Sequence, residues 1–127
     1  METTGTILLI DQDSELAQIM GSFLSTLGFR VLHTTRVREA LKKLSNQKFA
    51  FIFVDPELQP DTPETLFAEL MDPASLNHKT PLIVSSLNAE AALPMSVVKR
   101  IDSILMKPFT IAQLSSELAS KRERRAS

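Results

Sequence analysis

The chain has 127 residues, of which 43% are hydrophobic and 23% are charged, and its formal net charge is −1. This size predicts one domain with its own core, and so small a charge argues against nucleic acid or a membrane surface as a direct partner. The absence of cysteine excludes disulfides and thiolate chemistry, and the absence of a signal peptide or of an apolar stretch of ~20 residues predicts a cytoplasmic protein.

Short apolar runs alternate with helical patterns along the chain. Runs of this kind, bounded by turn residues, are typical of buried strands in a parallel sheet. Four of them cover residues 7–10, 51–54, 82–84 and 104–106. A fifth strand is predicted over residues 29–34, and because it is less apolar we expect it near an edge of the sheet.

The first helix has the strongest pattern in the sequence. Its apolar residues recur three and four positions apart, and Gly28 follows as a helix stop. They are Leu16, Ile19, Met20, Phe23, Leu24 and Leu27. The second helix is marked in the same way by Val37, Ala40, Leu41 and Leu44.

Capping residues and prolines delimit the later helices. The third is predicted to begin with Thr62 as N-cap and Pro63 in the first helical position, and to end at Asp72. Thr110 is predicted to cap the last helix, whose inner face carries Ile111, Leu114 and Leu118. A fourth helix is expected within residues 88–99, although Pro94 interrupts that segment.

Five β-α units therefore make up one domain, predicted to cover residues 1–120. Right-handed crossovers would place helices on both faces of the sheet. The basic segment 121–127 is interpreted either as a helix end whose cations complement the helix dipole, or as the start of a linker to an output domain.

Four of the predicted strands run directly into polar residues. The first leads to Asp11, the third to Asp55, the fourth to Ser85 and Ser86, and the fifth to Lys107. In parallel sheets the ligand crevice lies outside the carboxyl ends of the strands. We therefore expect two carboxylates, a hydroxyl and an ammonium in one crevice, which indicates phosphate or metal chemistry.

Each of these residues also has a simpler interpretation. Asp55 before Pro56 could start a turn, Ser86 could bond to the backbone, and Lys107 could be a solvated charge. Because all of them lie at strand ends, the interpretation as one shared crevice is favoured over these separate ones. For Asp13, the prediction is that its side chain caps the first helix.

In these residues the sequence resembles the response-regulator receiver domains, the CheY-like phosphoacceptor family. The similarity rests on Asp11 after the first strand, Val54-Asp55, the run from Pro81 to Ser86, and Met106-Lys107-Pro108-Phe109. It implies a flavodoxin-like (βα)5 fold with strand order 2-1-3-4-5. It also implies a histidine kinase or phosphotransfer protein as the phosphoryl donor.

The resemblance assigns roles to individual residues. Asp55 would be the phosphoacceptor and Ser86 the switch hydroxyl. Lys107 would be the lysine that receivers carry after the fifth strand. Mg²⁺ would be held by Asp11, Asp55 and the backbone carbonyl of Glu57. Such a domain would catalyse only its own phosphorylation and dephosphorylation.

Three departures from the family pattern affect these expectations. Gln12 stands where receivers commonly have a second acid, and an amide offers a divalent cation only a neutral oxygen, so weak Mg²⁺ binding is predicted. Ile104 replaces the aromatic residue usual three positions before the lysine. The loop after Asp55 has no glycine, and its proline is shifted by one position.

Two alternatives remain open from the sequence. The chain could be an atypical receiver that works as a phosphorylation-independent protein-interaction module. Asp11-Gln12-Asp13 also superficially matches the DxD pattern of haloacid-dehalogenase-like phosphatases, although the acidic pair that those enzymes need after the lysine is missing. In either receiver form, the output would lie in a partner protein or in a missing output domain.

Overall fold

In the computed structural model, which describes residues 5–58, 60–88 and 93–126, strands and helices alternate along the chain. The strands are β1 (Gly5–Ile10), β2 (Phe29–Thr34), β3 (Phe51–Val54), β4 (Leu82–Ser86) and β5 (Ser103–Met106). The helices are α1 (Ser14–Thr26), α2 (Val37–Asn46), α3 (Glu64–Met71), α4 (Met95–Val98) and α5 (Ile111–Ala126). None of these helices is both long and apolar enough to cross a membrane.

The five strands form one parallel sheet in the order β2-β1-β3-β4-β5, as predicted. β2 is an edge strand, which confirms the expectation from its composition. Ile10 pairs with Val54, Val54 with Val84, and Ser86 with Met106. Because these pairs lie near the carboxyl ends of their strands, the residues that follow them meet at one end of the sheet.

Apolar side chains cover both faces of the sheet, so helices pack on both sides as predicted. Alternate residues of a strand point to opposite faces. Leu8 and Ile10 belong to the apolar cluster that α2, α3 and α4 cover. Ile7 and Leu9 belong to the cluster that α1 and α5 cover. The central strands are therefore buried on both sides, which explains why their sequences are continuously apolar.

The buried face of α1 is narrower than the sequence pattern indicated. Ala17, Met20 and Leu24 are buried, whereas Ile19 is 60% exposed and Leu27 is 40% exposed. The sheet covers only one side of the helix, so the outer residues of the predicted stripe remain at the surface. The predicted stop is confirmed, since Gly28 has a positive φ of 93°.

The starts of α3 and α4 differ from the predictions. Pro63 occupies the N-cap position of α3 and makes no capping hydrogen bond; the hydroxyl of Thr62 instead lies 3.5 Å from the Glu64 carboxylate. α4 is a single turn that follows Pro94, because proline is tolerated at a helix start but not in its interior. Residues 89–92 of the predicted fourth helix lie outside the described residues.

Thr110 caps α5 as predicted. Its hydroxyl accepts a bond from the Gln113 backbone N–H at 3.0 Å, and the Gln113 side chain accepts one from the Thr110 N–H at 2.8 Å, which is a capping box. Leu114 and Leu118 are buried, but Ile111 is 43% exposed. The helix continues to Ala126, and the domain boundary at residue 120 stays a prediction.

A buried asparagine organises the opposite, amino-terminal end of the sheet. Asn77 is fully buried, and its side-chain oxygen accepts bonds from the Phe49 N–H at 2.8 Å and the Thr80 hydroxyl at 2.9 Å. Its side-chain nitrogen donates to the carbonyls of Leu44 and Gln47, each at 3.0 Å. One side chain thus joins the end of α2, the approach to β3 and the approach to β4.

Candidate functional site

A crevice of about 400 Å³ opens at the carboxyl-terminal end of the sheet. It collects residues that follow β1, β3, β4 and β5. The described residues that line it are Asp11, Gln12, Asp13, Leu16, Asp55, Glu57, Leu87, Lys107, Pro108 and Phe109. The structure therefore brings together most of the residues that the sequence predicted to meet there.

Lys107 joins the two carboxylates of the crevice. Its Nζ donates to Asp11 Oδ2 and to Asp55 Oδ2, both at 2.7 Å. The three side chains are only 11%, 3% and 14% exposed, respectively, so water screens the charges weakly. β1 and β3 are neighbours in the sheet, which places the two acids side by side and within reach of one ammonium.

The second oxygen of each carboxylate accepts a backbone N–H from two residues ahead. The Asp13 N–H donates to Asp11 Oδ1 and the Glu57 N–H donates to Asp55 Oδ1, each at 2.9 Å. Both carboxylates are therefore held at both oxygens. Since a carboxylate oxygen can accept more than one bond, each keeps lone pairs that a further ligand could use.

The charge state of Lys107 follows from these contacts. Burial lowers the pKa of the ammonium, but the hydrogen bonds and charges of Asp11 and Asp55 outweigh burial, so its pKa lies above the ordinary lysine value. The side chain is thus a fixed cation at neutral pH. Two carboxylates and one ammonium leave this part of the crevice with a charge of −1.

Ser86 lies beside the crevice but is not among the described residues that line it. It ends β4 and is 1% exposed; its carbonyl accepts the Lys107 N–H at 2.8 Å, and its hydroxyl oxygen accepts the Asn88 N–H at 3.0 Å. The hydroxyl proton is left for another acceptor, so its role toward a phosphoryl oxygen stays a prediction.

Asp13 caps α1, as predicted, although it also lines the crevice. Its carboxylate accepts the Leu16 N–H at 3.0 Å. Gln12 lines the crevice with an exposed side chain. Within residues 5–58, 60–88 and 93–126, no group of three or more His, Cys, Asp or Glu side chains is arranged to hold a metal ion.

The crevice nevertheless fits a hard divalent cation of the Mg²⁺ type. Such ions take oxygen ligands and are commonly bound by only one or two carboxylates, with water completing the shell. Asp11 and Asp55 provide two carboxylates that already share a cation in Lys107. The ligand atoms are of the type that Mg²⁺ prefers. The negative charge of the site, however, is smaller than it would be with a second acid at position 12.

Two residues of the site escaped the sequence analysis. His33 was predicted only as a strand residue, yet its Nε2 lies 2.7 Å from the Asp11 carbonyl and must donate to it, because a carbonyl only accepts. Leu87 is 69% exposed and forms part of the crevice wall directly after Ser86. No local pattern in the sequence distinguishes His33; it is the pairing of His33 with Leu9 in the sheet that brings it near Asp11.

A family model described as the response regulator receiver domain matches residues 7–119. No curated protein matches the chain. Many solved structures do, and among them is a response regulator from Burkholderia pseudomallei with a phosphorylated aspartic acid, a calcium ion and citrate. It is 28% identical to this chain with a TM-score of 0.77, and the match covers 96% of this chain and 72% of that one.

Two further matches are more distant in sequence and support the fold alone. The receiver domain of a sensor histidine kinase from Pseudomonas aeruginosa PAO1, with magnesium in its active-site cleft, is 22% identical with a TM-score of 0.77, covering 90% of this chain and 93% of that one. A chain in the complex of histidine kinase ThkA with response regulator TrrA, from Thermotoga maritima, is 17% identical with a TM-score of 0.75, covering 94% and 97%.

Proposed function

Because the chain belongs to the response-regulator receiver domain family, whose model matches residues 7–119, we propose that it accepts a phosphoryl group on Asp55. The observation that carries this proposal is the bridge from Lys107 to both Asp11 and Asp55 at 2.7 Å. It places a fixed cation against the carboxylate that directly follows β3, where an incoming phosphoryl oxygen needs a positive partner.

In this reaction an oxygen of Asp55 forms a bond to phosphorus as the bond from phosphorus to the donor breaks. With a phosphohistidine donor, the leaving group is the imidazole of the histidine kinase or phosphotransfer protein. The Glu57 N–H, 2.9 Å from Asp55 Oδ1, holds the carboxylate in one orientation for the attack. Lys107 pairs with the negative charge that the phosphoryl group brings. Because the ammonium is already in place, this pairing needs no rearrangement during the reaction.

Mg²⁺ is the metal that suits this site. Asp11, Asp55 and the carbonyl of Glu57 would hold it, with a weak contribution from the amide oxygen of Gln12. When bound, it would neutralise charge on the phosphoryl group. The solved receiver from Pseudomonas aeruginosa carries magnesium in its cleft, which supports the assignment without extending to the affinity of this chain.

Changing Gln12 to Glu is expected to tighten Mg²⁺ binding about tenfold, because it adds one negative charge at the wall of the crevice without changing the side-chain length. Isothermal titration calorimetry or Mg²⁺-dependent shifts of backbone amide resonances would measure it. Changing Gln18, an exposed residue of α1, to Glu is the matched control. Equal affinities for the wild type and the Gln12 variant would contradict the role assigned to position 12.

The partners of the site follow from the same proposal. A histidine kinase or phosphotransfer protein would supply the phosphoryl group, as the complex of ThkA with TrrA illustrates for other family members. The response would pass to a downstream protein or to an output domain.

The test uses the chain with acetyl phosphate, and separately with beryllofluoride, in the presence of Mg²⁺. We expect the intact mass to rise by one phosphoryl group and the amide resonances around Asp55 to shift with beryllofluoride. Asp55→Asn should abolish both responses, whereas Asp72→Asn, at an exposed position after α3, should keep both. A folded wild type that shows neither response would instead favour the phosphorylation-independent interaction module.

A further inference from the structure

A bidentate ion pair ties the loop after β3 to the start of α2. Arg36 Nε donates to Asp61 Oδ2 and Arg36 Nη2 donates to Asp61 Oδ1, both at 2.9 Å. Asp61 Oδ2 also accepts the Val37 N–H at 3.0 Å. The Asp61 side chain is 20% exposed, against 53% for Arg36, so the carboxylate is the more buried partner. We call these contacts of Asp61 with Arg36 and Val37 the clip.

Asp61 also serves as the N-terminal cap of α2. Arg36 occupies the N-cap position but makes no side-chain capping bond, and the first helical N–H, that of Val37, goes to Asp61. The hydrogen bonds from Arg36 and then from Val37 hold the pKa of Asp61 below its ordinary value, so the carboxylate is charged at neutral pH. A residue 24 positions away thus replaces the missing local cap.

The loop that Asp61 anchors begins at the acceptor carboxylate. Residues 55–63 contain three prolines, at positions 56, 60 and 63, and each fixes its own φ angle. Leu58, between the two ends, is 1% exposed and packs into the core. These fixed angles and the buried Leu58 side chain reduce the freedom of the described part of the loop, so we expect a restraint at Asp61 to reach Glu57.

Glu57 connects this restraint to the acceptor site. Its N–H holds Asp55 Oδ1 at 2.9 Å, and its carbonyl is the expected metal ligand. On the other side, the α2 end of the clip is joined to the first acid, since the carbonyl of Thr34 accepts the Asp11 N–H at 3.1 Å. The clip therefore links the loop that carries Asp55 to the connection between β2 and α2, and the last residue of β2 is itself bonded to Asp11.

We propose that Asp61 is a positioning residue for the acceptor site: by clipping the loop to α2 it sets the backbone of Glu57, and through Glu57 the orientation of Asp55 and the metal-binding carbonyl. The metal-binding part of this inference rests on the proposed function; the orientation of Asp55 does not.

The experiment compares Asp61→Ala with Asp72→Ala in the otherwise unchanged chain. Asp72 is a matched control, because its carboxylate accepts the Ala74 N–H at 2.9 Å in an exposed turn at the opposite end of the sheet. In the metal-free protein we expect the Glu57 amide resonance of the Asp61 variant to move upfield and its exchange with water to accelerate. We also expect the Kd for Mg²⁺ to rise about fivefold, within the usual range for mutations along a coupled network.

Arg36→Ala separates the two halves of the clip, because it removes the ion pair and leaves the bond from Val37. It should shift the Glu57 resonance in the same direction by a smaller amount. The proposal is overturned if Asp61→Ala lowers the unfolding midpoint yet leaves both the Glu57 amide and the Mg²⁺ affinity at their Asp72→Ala values.

Neither readout needs phosphoryl transfer, so the outcome can be told apart from a failure of the proposed function. If the wild type is never phosphorylated, the Glu57 amide still decides whether Asp61 positions the loop. If the wild type binds Mg²⁺ too weakly to titrate, the amide measurement decides alone.

Discussion

Replacing Asn77 with alanine is expected to lower the free energy of unfolding by about 3 kcal/mol, because several buried backbone groups lose their partners at once. The side chain makes four hydrogen bonds from a fully buried position, and the Phe49 N–H and the Leu44 carbonyl would be left without them. For a domain of this size, such a loss lowers the melting temperature by roughly 10 °C.

The chain has neither Trp nor Tyr, so urea unfolding followed by far-ultraviolet circular dichroism is the suitable measurement. Asn46→Ala, at an exposed position at the end of α2, is the matched control and should change stability by less than about 0.5 kcal/mol. If the two variants unfold at the same urea concentration, Asn77 does not hold the amino-terminal end of the sheet together.

Replacing Lys107 with methionine is expected to have opposite effects on two steps. Phosphorylation of Asp55 by acetyl phosphate should slow about 100-fold, because the cation that stabilises the developing charge is lost. Mg²⁺ binding should tighten about tenfold, because the ammonium that shares both carboxylates no longer repels the metal. Without metal the variant should also be less stable, since Asp11 is left as a buried charge without its partner.

These effects can be read from the rate of mass gain, from calorimetric Mg²⁺ titration and from melting with and without Mg²⁺. Lys79→Met, an exposed lysine at the amino-terminal end of the sheet, should leave all three unchanged. A weaker rather than tighter Mg²⁺ affinity in the Lys107 variant would show that the lysine assists the metal instead of competing with it.

The sequence was sufficient to predict the sheet and most of the crevice, because both depend on local patterns. Each strand is a short apolar run, and parallel pairing brings the residues after the strands together. Asp11, Asp55 and Lys107 were therefore predicted to meet, and they do. The family model and the solved structures confirm the receiver fold.

What could not be predicted depends on pairs that are distant in the sequence. Asn77 bonds to residues 28 to 33 positions away, and nothing near it distinguishes it from a loop asparagine. Asp61 acts as the cap of a helix that begins 24 residues earlier. The exposure of Ile19 and Ile111 was missed for a related reason: periodicity identifies an apolar stripe but not how much of it a neighbouring element covers.

The short link between the crevice and α5 has a mechanical consequence. Only two residues separate Lys107 from Thr110, whose capping box fixes the start of the helix. α5 has 16 residues and is therefore about 24 Å long. A tilt of about 5° at its start would move its far end by about 2 Å. A small displacement of the Lys107 backbone can thus become a larger one at Ala126.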